Sequence, residues 1–300
     1  MAALGRPAYI NLGRDEDFGK ERSVEALRRR AHEVLDAAYA AGIRYFDAAR
    51  SYGLAEEFLA SWLRQRGIPP DHVTVGSKWG YEYTGGWRLD AEQHEVKDLS
   101  ADTFRRQLSE TRALLGPHLD LYQIHSATME SGVLDDADLR QALAELRAGG
   151  IAVGLTVTGP RQRETIERAL EAGGFDAVQA TWNLHERSAE RTLAVAHEAG
   201  MGVIVKEALA NGRLTARGGN ELLLYAAAEV GTMPDALALA AALARPWSDV
   251  VLSGAATVDQ IQSNLAALDL DYTEELESRL TALTEEPGIY WRTRAALPWT

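Results

Sequence analysis

Four polar residues stand at or just after the ends of short apolar segments in the first half of the sequence. Asp47 ends the first of these segments and Tyr52 follows it by five residues, while Lys78 and His125 end the next two segments. In barrel enzymes, catalytic groups come from the ends of strands and from the loops after them. If the segments are consecutive strands, we expect the four side chains to converge at one end of the fold.

These four residue types can together deliver a proton to a developing alkoxide. A Tyr hydroxyl, whose ordinary pKa is about 10, ionises more easily beside an ammonium group, which favours the phenolate. A carboxylate can hold that ammonium in place, and a His can hydrogen-bond a carbonyl oxygen and orient it. The set Asp47, Tyr52, Lys78 and His125 therefore fits carbonyl reduction, which needs hydride at carbon and a proton at oxygen.

Each of these residues also has an ordinary structural interpretation on its own. A strand-end Asp47 often serves as a cap, Tyr52 could be packing, and a lone His125 is usually a hydrogen-bonded structural residue. Lys78 is harder to explain in this way, because only four of the 31 basic residues are Lys. Where Arg is used so freely, a Lys at the end of an apolar segment indicates a need for a compact, tunable charge.

Seven short, mostly apolar segments alternate with helical patterns along the chain. Their composition is typical of parallel strands that are covered on both faces. The segments are Ile43–Asp47, Val73–Lys78, Leu119–His125, Ala152–Val157, Ala177–Trp182, Gly202–Lys206 and Val250–Ser253.

Between these segments, apolar residues recur at spacings of three and four, as on one face of a helix. The predicted helices are Val24–Ala41, Leu54–Arg66, Thr103–Leu115, Ala137–Ala148, Gln162–Ala172 and Ser188–Ala199. Most are followed by Gly at the usual helix stop, at Gly42, Gly67, Gly149, Gly173 and Gly200. Thr257 with Gln260 is a capping box that predicts one more helix.

The alternation predicts an α/β fold, a (β/α)8 TIM barrel formed as a single domain by residues 1–300, with a tail at 286–300. A doubly wound sheet is the alternative, but it favours a Gly-rich phosphate loop after the first strand. The segment Phe46–Arg50 has no such loop. The eighth strand must come from the N-terminus, where Met1–Gly5 and Ala8–Leu12 are the candidates.

Composition narrows the class of protein. The net charge is −13 and no Lys/Arg run is longer than Arg28–Arg30, which argues against a nucleic-acid partner. The absence of Cys excludes disulfides and thiolate metal sites, and no metal is expected. The sequence shows neither a secretory signal nor a membrane-length apolar stretch, so we expect a cytoplasmic protein. Its partner would be a small molecule, and its oligomeric state is left open.

The polar motifs together resemble those of the aldo-keto reductase superfamily. Gly42–Asp47 followed by Tyr52 is similar to the first signature of that family, Val75–Lys78 to its lysine strand, and Leu119–His125 to its histidine strand. The resemblance implies that Tyr52 is the general acid and that Lys78 tunes it. It also implies that the carboxylate of the first motif pairs with Lys78, and that His125 positions a carbonyl or alcohol substrate.

The resemblance covers residues 2–268, and it extends to motifs that would bind a nicotinamide cofactor. It implies that Gln179 meets the carboxamide and that Trp182 stacks on the nicotinamide ring. Glu207–Leu214 occupies the position of the diphosphate loop, and Ser253–Asn264 resembles the segment that holds adenosine. The implied cofactor residues are Thr156, Gln179, Trp182, Lys206, Glu207, Ala208, Leu209, Gly212, Leu214, Ser253, Gly254, Ala255, Thr257, Gln260 and Asn264.

Some positions depart from the family pattern. Thr156-Val157 stands where the family often has Ser-Asn, which removes one contact to the carboxamide. Gly254, Ala255 and Ala256 stand where many members place a cation for the 2′-phosphate, and Gln260 replaces a common Arg. NADP is the family's habit and the expected cofactor, with NAD as the alternative.

The stretch from Trp79 to Ser100 is long for a connection between a strand and a helix and is rich in aromatic residues. Long ordered loops at barrel mouths often form lids or substrate walls. We therefore take Trp79 and Trp87 as candidates for the substrate pocket. The alternative is a surface excursion packed by its own aromatic side chains.

Other functions compete with carbonyl reduction. The same site could oxidise an alcohol or a sugar, and the same kind of barrel serves as a non-catalytic nucleotide-sensing subunit. A Schiff-base lyase would use Lys78 or Lys206, but it leaves Tyr52 unexplained.

The resemblance also carries an expectation about the two ends of the chain. It aligns residues 2–5 with the end of the family's first strand, which predicts a strand abbreviated to Met1–Gly5 and no hairpin at the barrel bottom. We expect the tail Pro287–Thr300 either to cover that opening or to flank the substrate mouth.

Overall fold

The computed structural model describes all 300 residues, and its centre is a curled sheet of seven parallel strands. The sheet order is β1-β2-β5-β6-β7-β8-β9, and a separate antiparallel hairpin is formed by β3 and β4. The strands are β1 (Tyr45–Asp47), β2 (Thr74–Trp79), β3 (Tyr81–Tyr83), β4 (Glu95–Lys97), β5 (Leu119–Ala127), β6 (Ala152–Val157), β7 (Ala177–Thr181), β8 (Gly202–Lys206) and β9 (Val250–Val251).

Twelve α-helices lie before, between and after the strands of the curled sheet. They are α1 (Arg14–Phe18), α2 (Val24–Ala40), α3 (Ala55–Arg66), α4 (Ala101–Leu115), α5 (Ala137–Ala148), α6 (Gln162–Ala172), α7 (Glu190–Glu198), α8 (Glu221–Glu229), α9 (Pro234–Leu243), α10 (Val258–Leu265), α11 (Glu274–Leu280) and α12 (Pro287–Ala295). Each of the seven predicted strands and six predicted helices is present, with boundaries that differ by at most two residues.

Of the predicted capping box, the Thr257 half is formed, whereas the Gln260 side chain accepts from the amide of Ala256 and not from that of Thr257. Thr257 caps α10 by accepting a hydrogen bond from the backbone N–H of Gln260 at 3.2 Å. Ser23 and Ser100 cap α2 and α4 in the same way, because these side chains satisfy amide groups that a helix start leaves without partners. At the other end, Gly67 stops α3 in the left-handed conformation with φ of 60°.

The predicted eighth strand is absent, and this corrects the expectation of an abbreviated strand at Met1–Gly5. Those residues form a turn, in which Leu4 and Gly5 both donate to the carbonyl of Met1. Ala8–Leu12 is not a strand either. Tyr9 exchanges two backbone hydrogen bonds, of 3.1 and 3.2 Å, with Thr300 of the tail. Most N-terminal residues find their backbone partners in the tail and in loops. The exception is the Met1 ammonium group, which donates to the carbonyl of Asp47 at 2.7 Å, but no N-terminal strand joins β1 or β9.

The sheet therefore has two free edges, β1 and β9. On the side where β1 and β9 do not pair, helices α2 and α10 lie against each other. A main cluster of 67 buried apolar residues runs from Ala3 to Trp291 and joins the sheet to the helices.

The long segment after β2 is the β3–β4 hairpin, and the tail contains helix α12. Both lie toward the carboxyl ends of the strands. No single helix is both long enough and apolar enough to cross a membrane. Helices α8 and α9, which are bent by 84° at their junction, meet the length and composition criteria only when they are taken together.

Candidate active site

The core of the site is an ion pair between two adjacent strands. Lys78 of β2 and Asp47 of β1 are both buried, and the Lys78 ammonium donates to the Asp47 carboxylate. It also donates to the carbonyl oxygen of Ala48 at 2.9 Å. The pair forms because parallel strands end at the same edge of a sheet, and β1 pairs with β2 up to Asp47.

The Asp47 carboxylate is held by further donors. Its second oxygen accepts a hydrogen bond from the Gln179 amide of β7 at 2.9 Å and a longer one from the Tyr45 hydroxyl at 3.4 Å. A buried charge is costly unless it is paired and hydrogen-bonded. These contacts satisfy the carboxylate and fix its orientation toward Lys78.

Tyr52 lies beside this pair and faces the cavity described below. The Lys78 Nζ atom is 5.0 Å from the centre of the Tyr52 ring, and the ring meets His125 edge-on at 5.4 Å. Burial raises the pKa of Tyr52 well above its usual 10, and Asp47 raises it further. The hydroxyl is therefore protonated at neutral pH, as a proton donor must be.

His125 of β5 is the fourth member of the group. Burial lowers its pKa well below 6.5, and the positive charge of Lys78 adds to this effect. The imidazole is thus neutral at pH 7, with one nitrogen able to donate. Its Nδ1 atom lies 3.4 Å from the Ser51 hydroxyl, and the Tyr81 ring of the hairpin is 4.9 Å away.

The four residues lie at one end of a cavity of about 730 Å³. Asp47, Tyr52 and His125 line it directly, and Lys78 lies behind Asp47. The cavity continues past β6, β7 and β8 to the segment before α10. Twelve of the implied cofactor residues line it: Thr156, Gln179, Lys206, Glu207, Ala208, Leu209, Gly212, Ser253, Gly254, Ala255, Gln260 and Asn264.

Trp182 is not on the cavity, and the expectation that it stacks on a nicotinamide ring is wrong. Successive residues of a strand point to opposite faces, and Gln179 and Thr181 point inward. Trp182 is fully buried on the helix side, where it meets Trp247 edge-on at 5.9 Å.

Two other implied cofactor residues also lie off the cavity. Leu214 is fully buried at the end of the 207–214 loop, and its backbone N–H donates to the carbonyl of Leu209. Thr257 uses its hydroxyl as the N-cap of α10. Both stabilise segments that line the cavity.

The two proposed substrate-pocket residues are wrong as well. Trp79 follows the inward-facing Lys78, so it points outward and packs edge-on against Phe104 of α4 at 5.2 Å. Trp87 lies at the hairpin end, where its indole N–H donates to the carbonyl of Arg22 at 2.8 Å. Neither residue lines the cavity.

The mouth of the cavity is built instead from residues that the sequence reasoning missed. They come from the N-terminal segment, the hairpin and the tail, and they are Arg6, Tyr9, Glu95, Arg294 and Trp299. No periodic pattern marks such residues, because each belongs to an irregular segment or a terminal helix. The tail thus flanks the mouth, which is one of its two expected placements.

A second buried charge cluster lies at the end of β8. Lys206 donates to the Thr181 hydroxyl at 2.7 Å. The Nε atom of Arg294, in the tail, donates to both carboxylate oxygens of Glu207 at 2.9 Å. Burial lowers the pKa of Lys206 to about 8. Burial disfavours the Glu207 carboxylate, yet the positive charges of Arg294 and Lys206 lower its pKa to about 2.

The far end of the cavity holds few charges. Asn264 donates to the hydroxyl of Ser253 at 2.8 Å, and the Gln260 amide donates to Asp17 of α1 at 2.9 Å. Arg217 is the cation here, and it pairs with the same Asp17. No group of His, Asp and Glu residues in the structure has a geometry that could hold a metal ion.

The sequence is similar to several proteins that are named as dehydrogenases or oxidoreductases. It is 28% identical over 237 residues to pyridoxal 4-dehydrogenase of Microbacterium luteolum, covering 66% of this chain and 67% of that protein. It is 27% identical over 226 residues to D-threo-aldose 1-dehydrogenase of a Pseudomonas species, covering 69% and 67%.

The fold is similar to a solved structure. The holo form of the aldo-keto reductase AKR11C1 from Bacillus halodurans superposes with a TM-score of 0.71 over 90% of both chains, at 22% identity. The profile of the Aldo/keto reductase family matches residues 18–285. The match covers most of the chain, including Asp47, Tyr52, Lys78 and His125. The chain therefore belongs to the aldo/keto reductase family of oxidoreductases.

Proposed function

We propose that this chain is an NAD(P)H-dependent reductase of aldehydes or ketones. One observation carries the proposal: Tyr52 opens into a cavity of about 730 Å³ beside His125 and above the buried Asp47–Lys78 pair. Protonation of a developing alkoxide is promoted by this arrangement of a neutral acid, a nearby cation and a hydrogen-bond donor.

The residues of the cavity fit a nicotinamide dinucleotide. Its length joins the Tyr52 end to the Ser253–Ala255 segment, which precedes the N-terminus of α10. Backbone N–H groups at such a terminus favour a phosphate. Gln179 would hold the carboxamide, and the loop from Glu207 to Gly212 would cover the diphosphate. When bound, the cofactor supplies hydride to the carbonyl carbon.

The chain's own residues would manage the proton. The Tyr52 hydroxyl gives its proton to the carbonyl oxygen, and the Lys78 ammonium stabilises the phenolate that remains. Asp47 holds the Lys78 ammonium in place. Neutral His125 donates a hydrogen bond that holds the carbonyl oxygen near Tyr52.

Oxidation of an alcohol or a sugar by the same site is the second candidate. It is favoured by two relatives, which are named for dehydrogenation of pyridoxal and of an aldose. The same residues would then run in reverse, with the Tyr52 phenolate as the base. Pyridoxal and aldoses therefore belong in the substrate panel in both directions.

The experiment is a fluorescence titration with NADPH and NADH, followed by turnover of aldehydes, ketones and alcohols. Reduction of a carbonyl by the wild type, abolished in Tyr52→Phe, supports the proposal. Cofactor binding without turnover of any compound would instead support a nucleotide-sensing subunit. Trapping of a carbonyl on Lys206 by borohydride would support a lyase.

A further inference from the structure

Arg6 is a buried cation at the mouth of the cavity, and none of the roles above uses it. It is 2% exposed, and it lines the cavity. Its guanidinium carbon lies 5.4 Å from the centre of the Tyr52 ring, while the Lys78 ammonium lies 5.0 Å from the same ring. The Tyr52 ring therefore has two cations at nearly equal distances from its centre.

The side chain of Arg6 is held by contacts from three parts of the chain. It donates to the carbonyl of Ser51 at 3.1 Å and to the Glu95 carboxylate of the hairpin at 2.8 Å. It also lies over the rings of Tyr9 and Trp299 at 5.1 and 4.8 Å. Its Nε atom is buried without a hydrogen-bond partner. The guanidinium is thus fixed in place, with donor capacity left over.

The backbone explains why Arg6 comes so close to Tyr52. The carbonyl of Gly5 accepts a hydrogen bond from the Leu54 amide at 2.7 Å. A Cβ atom on Gly5 would collide with the carbonyl oxygen of Tyr52, and one on Gly53 would collide with that of Gly5. Gly53 also has φ of 62°, which favours glycine. These two glycines let the N-terminal segment press directly on the loop that carries Tyr52.

We propose that Arg6 is a positioning residue that acts with Lys78 to stabilise the Tyr52 phenolate. The proposal rests on the proposed function, in which the Tyr52 O–H bond breaks and its proton bonds to the substrate oxygen. The electron pair then stays on the phenolate oxygen, where two cations rather than one stabilise it, and solvent returns a proton after the product leaves.

The charges around Tyr52 support this role. Burial and Asp47 raise the pKa of Tyr52, Arg6 lowers it, and Glu95 raises it again. Arg6 and Glu95 are ion-paired, so the two residues act on Tyr52 in opposite directions. The charged or titratable groups that face Tyr52 are Arg6, Tyr9, Tyr45, Asp47, Lys78, Glu95, His125 and Glu207.

Direct titration of residue 52 tests the proposal without requiring turnover. Tyr52 is replaced by 3,5-difluorotyrosine, whose fluorine atoms lower the pKa of the phenol and report its ionisation by fluorine NMR. We expect the midpoint to move to higher pH in Arg6→Gln, to lower pH in Glu95→Gln, and part of the way back in Arg6→Lys. Since one pKa unit corresponds to a factor of ten, we expect kcat/KM for alcohol oxidation near pH 7 to fall about tenfold in Arg6→Gln.

Arg22→Gln is the matched control. Arg22 is a buried arginine that holds the same N-terminal segment, by donating to the carbonyl of Pro7 at 2.8 Å, and it has no contact with Tyr52. A midpoint unchanged in Arg22→Gln but raised in Arg6→Gln supports the proposal. Equal midpoints in Arg6→Gln and the wild type, or equal shifts in the two arginine variants, would overturn it. A wild type that titrates as expected yet reduces no carbonyl would defeat the proposed function alone.

Discussion

The floor and the mouth of the cavity are built in different ways. At the floor, Asp47, Lys78 and His125 come from strands whose register is set by backbone pairing, and Asp47 is bonded from three directions. At the mouth, Arg6 and Arg294 come from a terminal segment and a tail, each held by one carboxylate. The floor is fixed by the sheet, whereas the mouth depends on a few ion pairs between irregular segments. Substitutions at the floor should therefore damage the chemistry, and those at the mouth should change stability and selectivity, except at Arg6, which also acts on Tyr52.

The largest expected effect is at Tyr52. We expect Tyr52→Phe to lower kcat by about 10²–10⁴-fold, the usual loss when a general acid is removed. The ring remains, so cofactor affinity measured by fluorescence should be unchanged. Wild-type kcat in this variant would show that the proton comes from another group.

The second largest effect is expected at Lys78, because the floor needs a positive charge that is also compact. We expect Lys78→Met to disable catalysis and to cost about 3–5 kcal/mol of stability, since it leaves the Asp47 carboxylate buried without its partner. Lys78→Arg should not restore kcat, because a planar guanidinium is too large for the space between Asp47 and Tyr52.

The double variant Asp47→Asn with Lys78→Met separates the two effects. It should recover most of the unfolding free energy measured by denaturant titration, but none of the activity. Full activity in Lys78→Arg would mean that any positive charge suffices at this position.

At the mouth, Arg294→Gln should affect stability and its pH dependence more than chemistry. The folded-state pKa of Glu207 is about 2, below its unfolded value near 4.5. A lowered carboxylate pKa stabilises the fold above the unfolded pKa, and this contribution is lost as pH falls from about 4.5 to 2. The difference corresponds to roughly 3 kcal/mol at neutral pH, and Arg294→Gln should remove most of it.

Thermal unfolding from pH 7 down to pH 2 checks this. The Tm of Arg294→Gln should lie below that of the wild type at pH 7, and the two should converge toward pH 2. A constant gap across the range would mean that the pair contributes packing rather than charge.

The same contrast explains what the sequence could predict. Asp47, Lys78 and His125 were identifiable because each ends a strand, and the carboxyl ends of parallel strands meet. Trp182 was assigned from the family position and Trp79 from the long aromatic segment that follows it, in both cases without the alternation of the strand, which points both side chains away from the cavity. The Met1–Gly5 strand was wrong because a five-residue segment has no period to distinguish a strand from a turn. Arg6 could not be found, since only the folded chain brings the N-terminal segment against Tyr52, whereas Trp299 belongs to the tail that was expected either to cover the opening or to flank the mouth.

The smallest effect concerns cofactor choice at the far end of the cavity. We expect less than tenfold preference for NADPH over NADH in the ratio of their Kd values. Gly254 and Ala255 offer no cation for a 2′-phosphate, and charge-assisted hydrogen bonds are the strong ones in such recognition. Arg217 lines the cavity there, but Asp17 already pairs with it, and that carboxylate side chain is only 5% exposed. A thousandfold preference in either direction would contradict this account.

Asp17 gives a way to sharpen that prediction. Asp17→Asn removes the nearer of the two carboxylates that pair with Arg217 and leaves only the exposed Glu16 at 3.4 Å, so the guanidinium can turn more easily toward a 2′-phosphate. We expect the affinity for NADPH to rise severalfold while that for NADH changes little, because only NADPH carries the extra phosphate. Arg217→Gln in the same background is the control and should abolish the gain. An equal rise for both cofactors would show instead that the Asp17–Arg217 pair closes the groove over the shared part of the cofactor.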